Sequence, residues 1–354
     1  MIADQPTQAL SQQLLDLLRV HLDDPSLAFD GEPAMLTGGF WAELVRFRID
    51  PAPAEWSETL VARVMPDDAI AAKEGAFQLE VARQGYPTPS VRLQRGPTEG
   101  IDGRALMVMD LADGAPPLSG LDGVSALTKL PSLARRLPAV LADVLARLHR
   151  LDTTPVITRL AAIDAPRPDL DSMLQSLQAT AALLDRPALG ACASWLADHR
   201  PPTEDEVLCH GDLHPFNVLV DEHGAVTVLD WSAAVIAPRG YDLGFTSLML
   251  AEPPLVVPPL LRPTIRRAGR ALSRRFIRQY ERRAGVRVDP GALAWHQGLI
   301  CIRALAEVAG WSVAGTLAGR DGHPWVINQR ALIDRLRALT GTNVPVEVAS
   351  PVLP

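Results

Sequence analysis

One polar cluster framed by two short apolar runs constrains this chain more than any other stretch. His210-Gly211-Asp212-Leu213-His214-Pro215-Phe216-Asn217 leads into Val218-Leu219-Val220. Asp221-Glu222-His223-Gly224 follows, then Val226-Thr227-Val228-Leu229 and Asp230-Trp231. The apolar runs have the length and β-branched content of strands, and the segment between them has turn chemistry. The pattern predicts a hairpin with Asn217 at its entrance and Asp230 at its exit, so that both side chains reach one site. Asp212 lies five residues before Asn217, in the loop that feeds the hairpin.

Those three side chains suit phosphoryl transfer. The charge of that transition state sits on peripheral oxygens, so catalysis is positioning plus cationic stabilisation. Mg²⁺ takes few protein ligands, and they are carboxylate and amide oxygens such as Asp230 and Asn217 offer. A further carboxylate, Asp212, can accept the proton of an attacking hydroxyl. No cysteine or histidine cluster with zinc spacing is present.

The ordered set His-Gly-Asp, four residues, Asn, hairpin and Asp-Trp resembles the catalytic and metal-binding loops of the aminoglycoside phosphotransferase and choline kinase superfamily, relatives of the protein kinases. The resemblance implies an α+β, bilobal, protein-kinase-like fold with a small β-rich lobe and a larger, mainly helical one. It implies residues 1–111 as a nucleotide-binding lobe with an amino-terminal helix, a five-stranded sheet and one further helix. Residues 112–354 then form the catalytic and substrate-binding lobe. It implies Asp212 as catalytic base, Asn217 and Asp230 as Mg²⁺ ligands, ATP or GTP as phosphoryl donor, and His210 and His214 as residues that shape the loop. Asp242, in Tyr241-Asp242-Leu243, is expected either to cap the helix that follows or to bond the catalytic loop.

The amino-terminal part reads consistently. Leu10, Leu14, Leu17, Leu18 and Leu22 are spaced for one helix over Gln8–Leu22. Gly38-Gly39 lies between two strand patterns, where an absent Cβ lets backbone approach a phosphate. Thr59–Met65 reads as a strand. The resemblance implies that its Arg63 holds the nucleotide phosphates in place of the more usual lysine. Asp68–Gln84 reads as a helix carrying Glu74, which the resemblance implies as the partner of Arg63, with Glu80 as rival. Arg104–Leu111 reads as a strand, and the resemblance implies that it ends in the connection between lobes, where backbone groups would meet the adenine and Met109 and Leu111 would be core or pocket wall rather than readers of the base.

Residues 120–131 read as an insertion or linker and Leu133–Leu151 as a helix. Further helical segments are expected over Asp169–Ala197 and near Pro259–Ala284, Pro290–Leu317 and Pro324–Leu339. Cys192, Cys209 and Cys301 are odd in number and widely spaced, which argues for small buried residues rather than disulfides. No signal peptide and no membrane span is read, so a cytoplasmic protein without a membrane partner is expected.

Charge narrows the acceptor. The net charge of −7 argues against a general nucleic-acid binder. From Gly240 onward there are fifteen arginines and no lysine against eight carboxylates, a balance of +7, which leaves −14 for residues 1–239. A polycationic aminoglycoside would be repelled by such a segment. A neutral or acidic hydroxylated metabolite or natural product is the expected substrate. Arg262, Arg266, Arg267, Arg270, Arg274, Arg275 and Arg278 fall on more than one face of a helix and read as a solvated surface able to meet an acidic group. The alternative reading is a nucleotide-binding pseudokinase with a regulatory role, suggested by Arg63 and by the apolar residues Phe40 and Trp41 after Gly38-Gly39.

Overall fold

The computed structural model describes residues 8–36, 42–119, 123–202, 205–255 and 258–348. In chain order these form α1 (Gln8–Leu22), β1 (Ala28–Phe29), β2 (Ala34–Met35), β3 (Glu43–Phe47), β4 (Ile49–Asp50) and β5 (Leu60–Met65). Next come α2 (Asp68–Arg83), β6 (Val91–Arg95), β7 (Ala105–Asp110), α3 (Gly123–Leu148), α4 (Thr154–Ala162), α5 (Leu170–Leu183) and α6 (Pro187–Asp198). Then follow β8 (Glu206–Cys209), β9 (Val218–Val220), β10 (Val226–Val228), β11 (Val235–Pro238) and α7 (Gly240–Ala251). The chain closes with α8 (Arg262–Ala284), α9 (Pro290–Val313) and α10 (Pro324–Thr340). It is an α+β protein, sheet-rich at its amino-terminal end and helical towards its carboxy terminus.

The chain divides into two compact units. The first comprises residues 1–119, 153–167 and 216–234. Its centre is an antiparallel sheet in the order β2-β3-β5-β7-β6. Five of the six residues of central β5 are buried, and Arg63 is the half-buried exception. One side chain in that strand therefore has a reason other than packing. Leu10, Leu14 and Leu18 of α1 are buried in one cluster with Val45, Phe47, Leu60 and Val108, the outcome of their helical spacing. Asp67 caps α2 by accepting the Ile70 amide at 3.0 Å. The hairpin β9–β10 pairs Val218 with Val228 and Val220 with Val226. Asp221 Oδ1 accepts the amides of His223 and Ala225, at 2.9 and 2.7 Å, which closes the turn.

The second unit comprises residues 120–152, 168–215 and 235–354. Here α3 packs on α8, while α7 packs on both α8 and α9. Every residue of α7 is buried, and a mainly apolar helix whose polar members, Asp242, Thr246 and Ser247, are buried with the rest belongs inside a core. Residues 123–131, expected as linker, instead begin α3. The helix runs through Pro131 and Pro138, and packing of α3 against α8 outweighs the hydrogen bonds lost there. All three cysteines are buried and free. Burial pushes the Cys301 thiol up to about 12 and that of Cys209 well above the ordinary range, so neither is a nucleophile. No described helix is long and apolar enough to cross a membrane.

Candidate active site

In the first unit, β5 and α2 bring Arg63 and Glu74 together. Arg63 Nη1 lies 2.9 Å from Glu74 Oε1, and Nη2 lies 3.6 Å from Asp230 Oδ1. Glu74 is wholly buried. Burial pushes its carboxyl up to about 7, against the pull of the Arg63 guanidinium and with a further push from the Asp230 charge. The 2.9 Å approach has ion-pair distance without hydrogen-bond alignment, since both Glu74 oxygens and Arg63 Nε are buried without a hydrogen-bond partner. The rival Glu80 is engaged elsewhere, 2.9 Å from Arg83 and 3.6 Å from Arg159.

The hairpin delivers Asn217 and Asp230 to the same unit. The Leu229 amide donates to the Asn217 carbonyl at 2.9 Å, so the two strand ends stay side by side. Asp230 has φ +64°, a left-handed backbone that a non-glycine residue adopts at a cost. The neighbouring hydroxyl of Ser232 donates to Asp230 Oδ1 at 2.6 Å. Buried Trp231 anchors the turn from behind: its Nε1 donates to Thr88 Oγ1 at 3.0 Å, and that hydroxyl donates to the Val228 carbonyl at 2.9 Å. A cavity of about 770 Å³ opens beside these groups, lined by Arg63, Met65, Asp67, Asp68, Glu74 and Ser232 among others.

This donor set fits a magnesium–phosphate group. A carboxylate and an amide oxygen are the ligands a hard divalent cation takes. A buried guanidinium nitrogen without a partner is a donor that a phosphate oxygen would satisfy. Gly38 and Gly39 lie outside the described residues. Met109 and Leu111 are half-buried. The Leu111 amide already donates to the Thr59 carbonyl and the Asp110 amide to that of Ser90, so a base met by Leu111 would find its carbonyl or side chain.

In the second unit, Asp212 follows β8 in a loop held by its backbone. Fully buried Asp242 accepts the His210 amide on Oδ2 at 2.9 Å and the Gly211 amide on Oδ1 at 2.7 Å. Its own helix is left uncapped by side chains, so of the two roles expected for Asp242 the structure shows the bond to the loop. His149 Nε2 lies 3.1 Å from Asp242 Oδ2, and His149 Nδ1 lies 2.7 Å from the Tyr280 hydroxyl. His210 is buried, with its Nδ1 accepting the Asp212 amide at 3.3 Å. His214 Nε2 stands 3.7 Å from Asp212 Oδ2.

Sequence reasoning missed Arg303. From α9 it donates through Nη2 to the Gly211 carbonyl at 3.2 Å and through Nη1 to the Tyr241 hydroxyl at 2.6 Å. Burial opposes its charge, but Tyr241, Asp212 and Glu307 more than offset this and the guanidinium stays protonated. The Gly211 peptide, at φ +77°, is thus clamped by a carboxylate on its amide and a guanidinium on its carbonyl. No local pattern announces a bond to a residue 92 positions away.

A family model described as the phosphotransferase enzyme family matches residues 41–296. An uncharacterized protein of Bacillus subtilis strain 168, YcbJ, is 33% identical over 122 residues. That match covers 32% of this chain and 38% of YcbJ, so the chain spans well under half of that relative's length. Among solved structures, a Ralstonia eutropha JMP134 protein assigned to the aminoglycoside phosphotransferases superposes with a TM-score of 0.65 at 17% identity, over 93% of this chain and 98% of its own. A thermostable mutant of aminoglycoside phosphotransferase APH(4)-Ia, in complex with ADP and hygromycin B, superposes with a TM-score of 0.56 at 16% identity, over 93% and 98%. Likeness at this identity fixes the fold, which is protein-kinase-like.

Proposed function

Because the chain belongs to the phosphotransferase enzyme family, we propose that it moves the γ-phosphoryl group of ATP or GTP to a hydroxyl of a small, neutral or acidic metabolite or natural product. The observation that carries this reading is Arg63, half-buried between Glu74 and Asp230 with an unsatisfied Nε beside a cavity. Arg63 binds phosphate oxygens, and Glu74 fixes the guanidinium for that task. Asn217 and Asp230 hold magnesium, which supplies neutralisation of the phosphate charge when bound. Asp212 orients the acceptor hydroxyl and takes its proton as the oxygen attacks phosphorus. Asp242 and Arg303 keep the Gly211–Asp212 peptide in place for that transfer.

The acceptor follows from charge. A basic carboxy-terminal segment disfavours polycations, so hygromycin-like aminoglycosides are poor candidates although a fold neighbour binds one. The test is transfer from γ-labelled ATP and GTP to a panel of sugars, hydroxy acids, macrolides and aminoglycosides. Labelled product with a neutral or acidic alcohol, lost in Asp212→Asn, is the expected result. Transfer that persists in Asp212→Asn would remove Asp212 from the chemistry. Labelling of aminoglycosides alone would overturn the acceptor class.

A further inference from the structure

α8 carries arginine at 262, 266, 270, 274, 278 and 282, every fourth position over most of its length. In a helix each step of four residues turns by about 40°, so the row winds as it climbs, and Arg266, Arg270, Arg274 and Arg278 share one side within an arc of about 120°. At 1.5 Å per residue the row is about 30 Å long. All six residues are exposed. Arg266, Arg270, Arg274 and Arg278 cannot turn inward, because Gly269, Phe276 and Tyr280 bury a different side of the helix. Gly269 sits so close to the Leu250 and Ala251 carbonyls that a Cβ there would come within 2.6 Å of one.

Like charges four residues apart weaken a helix, and a folded surface gains nothing from repeating them. Arg266 and Arg270 share one carboxylate, Glu252, at 2.7 and 3.8 Å. Arg262, Arg274, Arg278 and Arg282 have no carboxylate partner among the described residues. A recess of about 580 Å³ opens along the first half of the row. Three leucines stand in solvent at the amino-terminal end: Leu255 at 55% exposure, Leu260 at 88% and Leu261 at 50%.

We propose that Arg266, Arg270, Arg274 and Arg278 and these leucines form a docking face for an anionic lipid surface. Arginines at phosphate depth and leucines at the acyl boundary are the two parts of a peripheral membrane contact. A nucleic acid would engage the arginines and leave the leucines without a role. The rest of the chain is acidic, so an anionic surface meets this face and is repelled by others. A peripheral face needs no spanning segment, so it departs from the expectation of no membrane partner without requiring a helix that crosses a membrane.

The experiment is flotation of the full chain with phosphatidylcholine vesicles, with and without about one third phosphatidylglycerol. The chain should float only with the anionic vesicles, and less so as salt rises through physiological strength. Arg274→Glu with Arg278→Glu should lower that affinity at least tenfold, each unpaired cation being worth about fivefold. Leu260→Ser should weaken it further. Neither exposed change should alter the melting temperature, which separates lost docking from lost folding. Equal retention on both vesicles, or on neither, overturns the proposal. So does salt-sensitive binding to duplex DNA that ignores Leu260→Ser while the vesicles stay unbound.

Discussion

Arg63 stands between two carboxylates, 2.9 Å from Glu74 through Nη1 and 3.6 Å from Asp230 through Nη2. A lysine ammonium is a compact point charge, whereas the planar guanidinium offers several fixed donors. Arg63 can therefore face both acids and keep Nε for a phosphate. Arg63→Ala should weaken nucleotide binding by roughly tenfold or more, the scale of one charge-assisted hydrogen bond. Arg63→Lys should fall between. Calorimetric titration of ATP with magnesium measures both, and unchanged affinity in Arg63→Ala would place the phosphates elsewhere.

Gly75 sits next to Glu74 in α2, and a Cβ there would lie 2.3 Å from the Gln94 amide, which itself donates to the Ala71 carbonyl at 3.0 Å. Gly75→Ala must displace either Gln94 or the helix that carries Glu74. The loss of the Gln94 bond to Ala71 is offset in part by the gain of about 1 kcal/mol from alanine over glycine inside a helix, so the net cost should stay below about 1 kcal/mol. Removing the obstacle in Gly75→Ala/Gln94→Ala should recover part of that loss, since contacting residues are not additive. Urea unfolding of the four proteins tests this, and strictly additive effects would show that the two residues do not meet.

Asp242 is a buried carboxylate satisfied by two amides and a histidine. Asp242→Ala leaves those donors without an acceptor, which should cost about 2–4 kcal/mol. Turnover should fall further than the lost folded fraction explains, because the Gly211 peptide loses half of its clamp. A variant with stability within about 0.5 kcal/mol of the parent would contradict the role given to Asp242.

Much of the fold was legible because its elements announce themselves locally. The leucine period of α1, the apolar run of β5 and the hairpin around Asp221-Gly224 all appear within a few residues of their expected bounds. The start of α3 was not legible, since residues 120–131 read as a linker ending at Pro131 and packing against α8 overrides that break. In the site, the family resemblance implied Glu74 as partner of Arg63 with Glu80 as rival, and the structure pairs Arg63 with Glu74. The left-handed backbone of Asp230, the Ser232 bond and the reach of Arg303 to Gly211 were not legible. They depend on tertiary placement that no spacing encodes.

His296 gives the protein an acid-sensitive core. It is 3% exposed with Nδ1 unpartnered, and its ring lies against Gly240, where a Cβ would be 2.2 Å from Cδ2. Burial, then the Arg200 charge, pushes its pKa down to about 3. The unfolded chain takes up this proton near pH 6.5 and the folded chain only near 3, so the unfolded state binds more protons between them. Stability is therefore present above the unfolded value and lost as pH falls towards 3, at about 1 kcal/mol per pH unit. In His296→Gln this slope should disappear from urea unfolding compared at pH 7 and pH 5. An unchanged slope would assign the acid sensitivity to another group.

The measurement that tests the central claim most directly is thermal unfolding of the parent protein and of Asp230→Asn, with ATP or GTP and with or without magnesium. A nucleotide at about 100 times its dissociation constant adds roughly 2.7 kcal/mol, a shift of a few degrees in a protein of this size. The account predicts a magnesium-dependent rise for at least one nucleotide in the parent and a much smaller one in Asp230→Asn. A magnesium-dependent rise of equal size in Asp230→Asn, or none in the parent with either nucleotide, would contradict it.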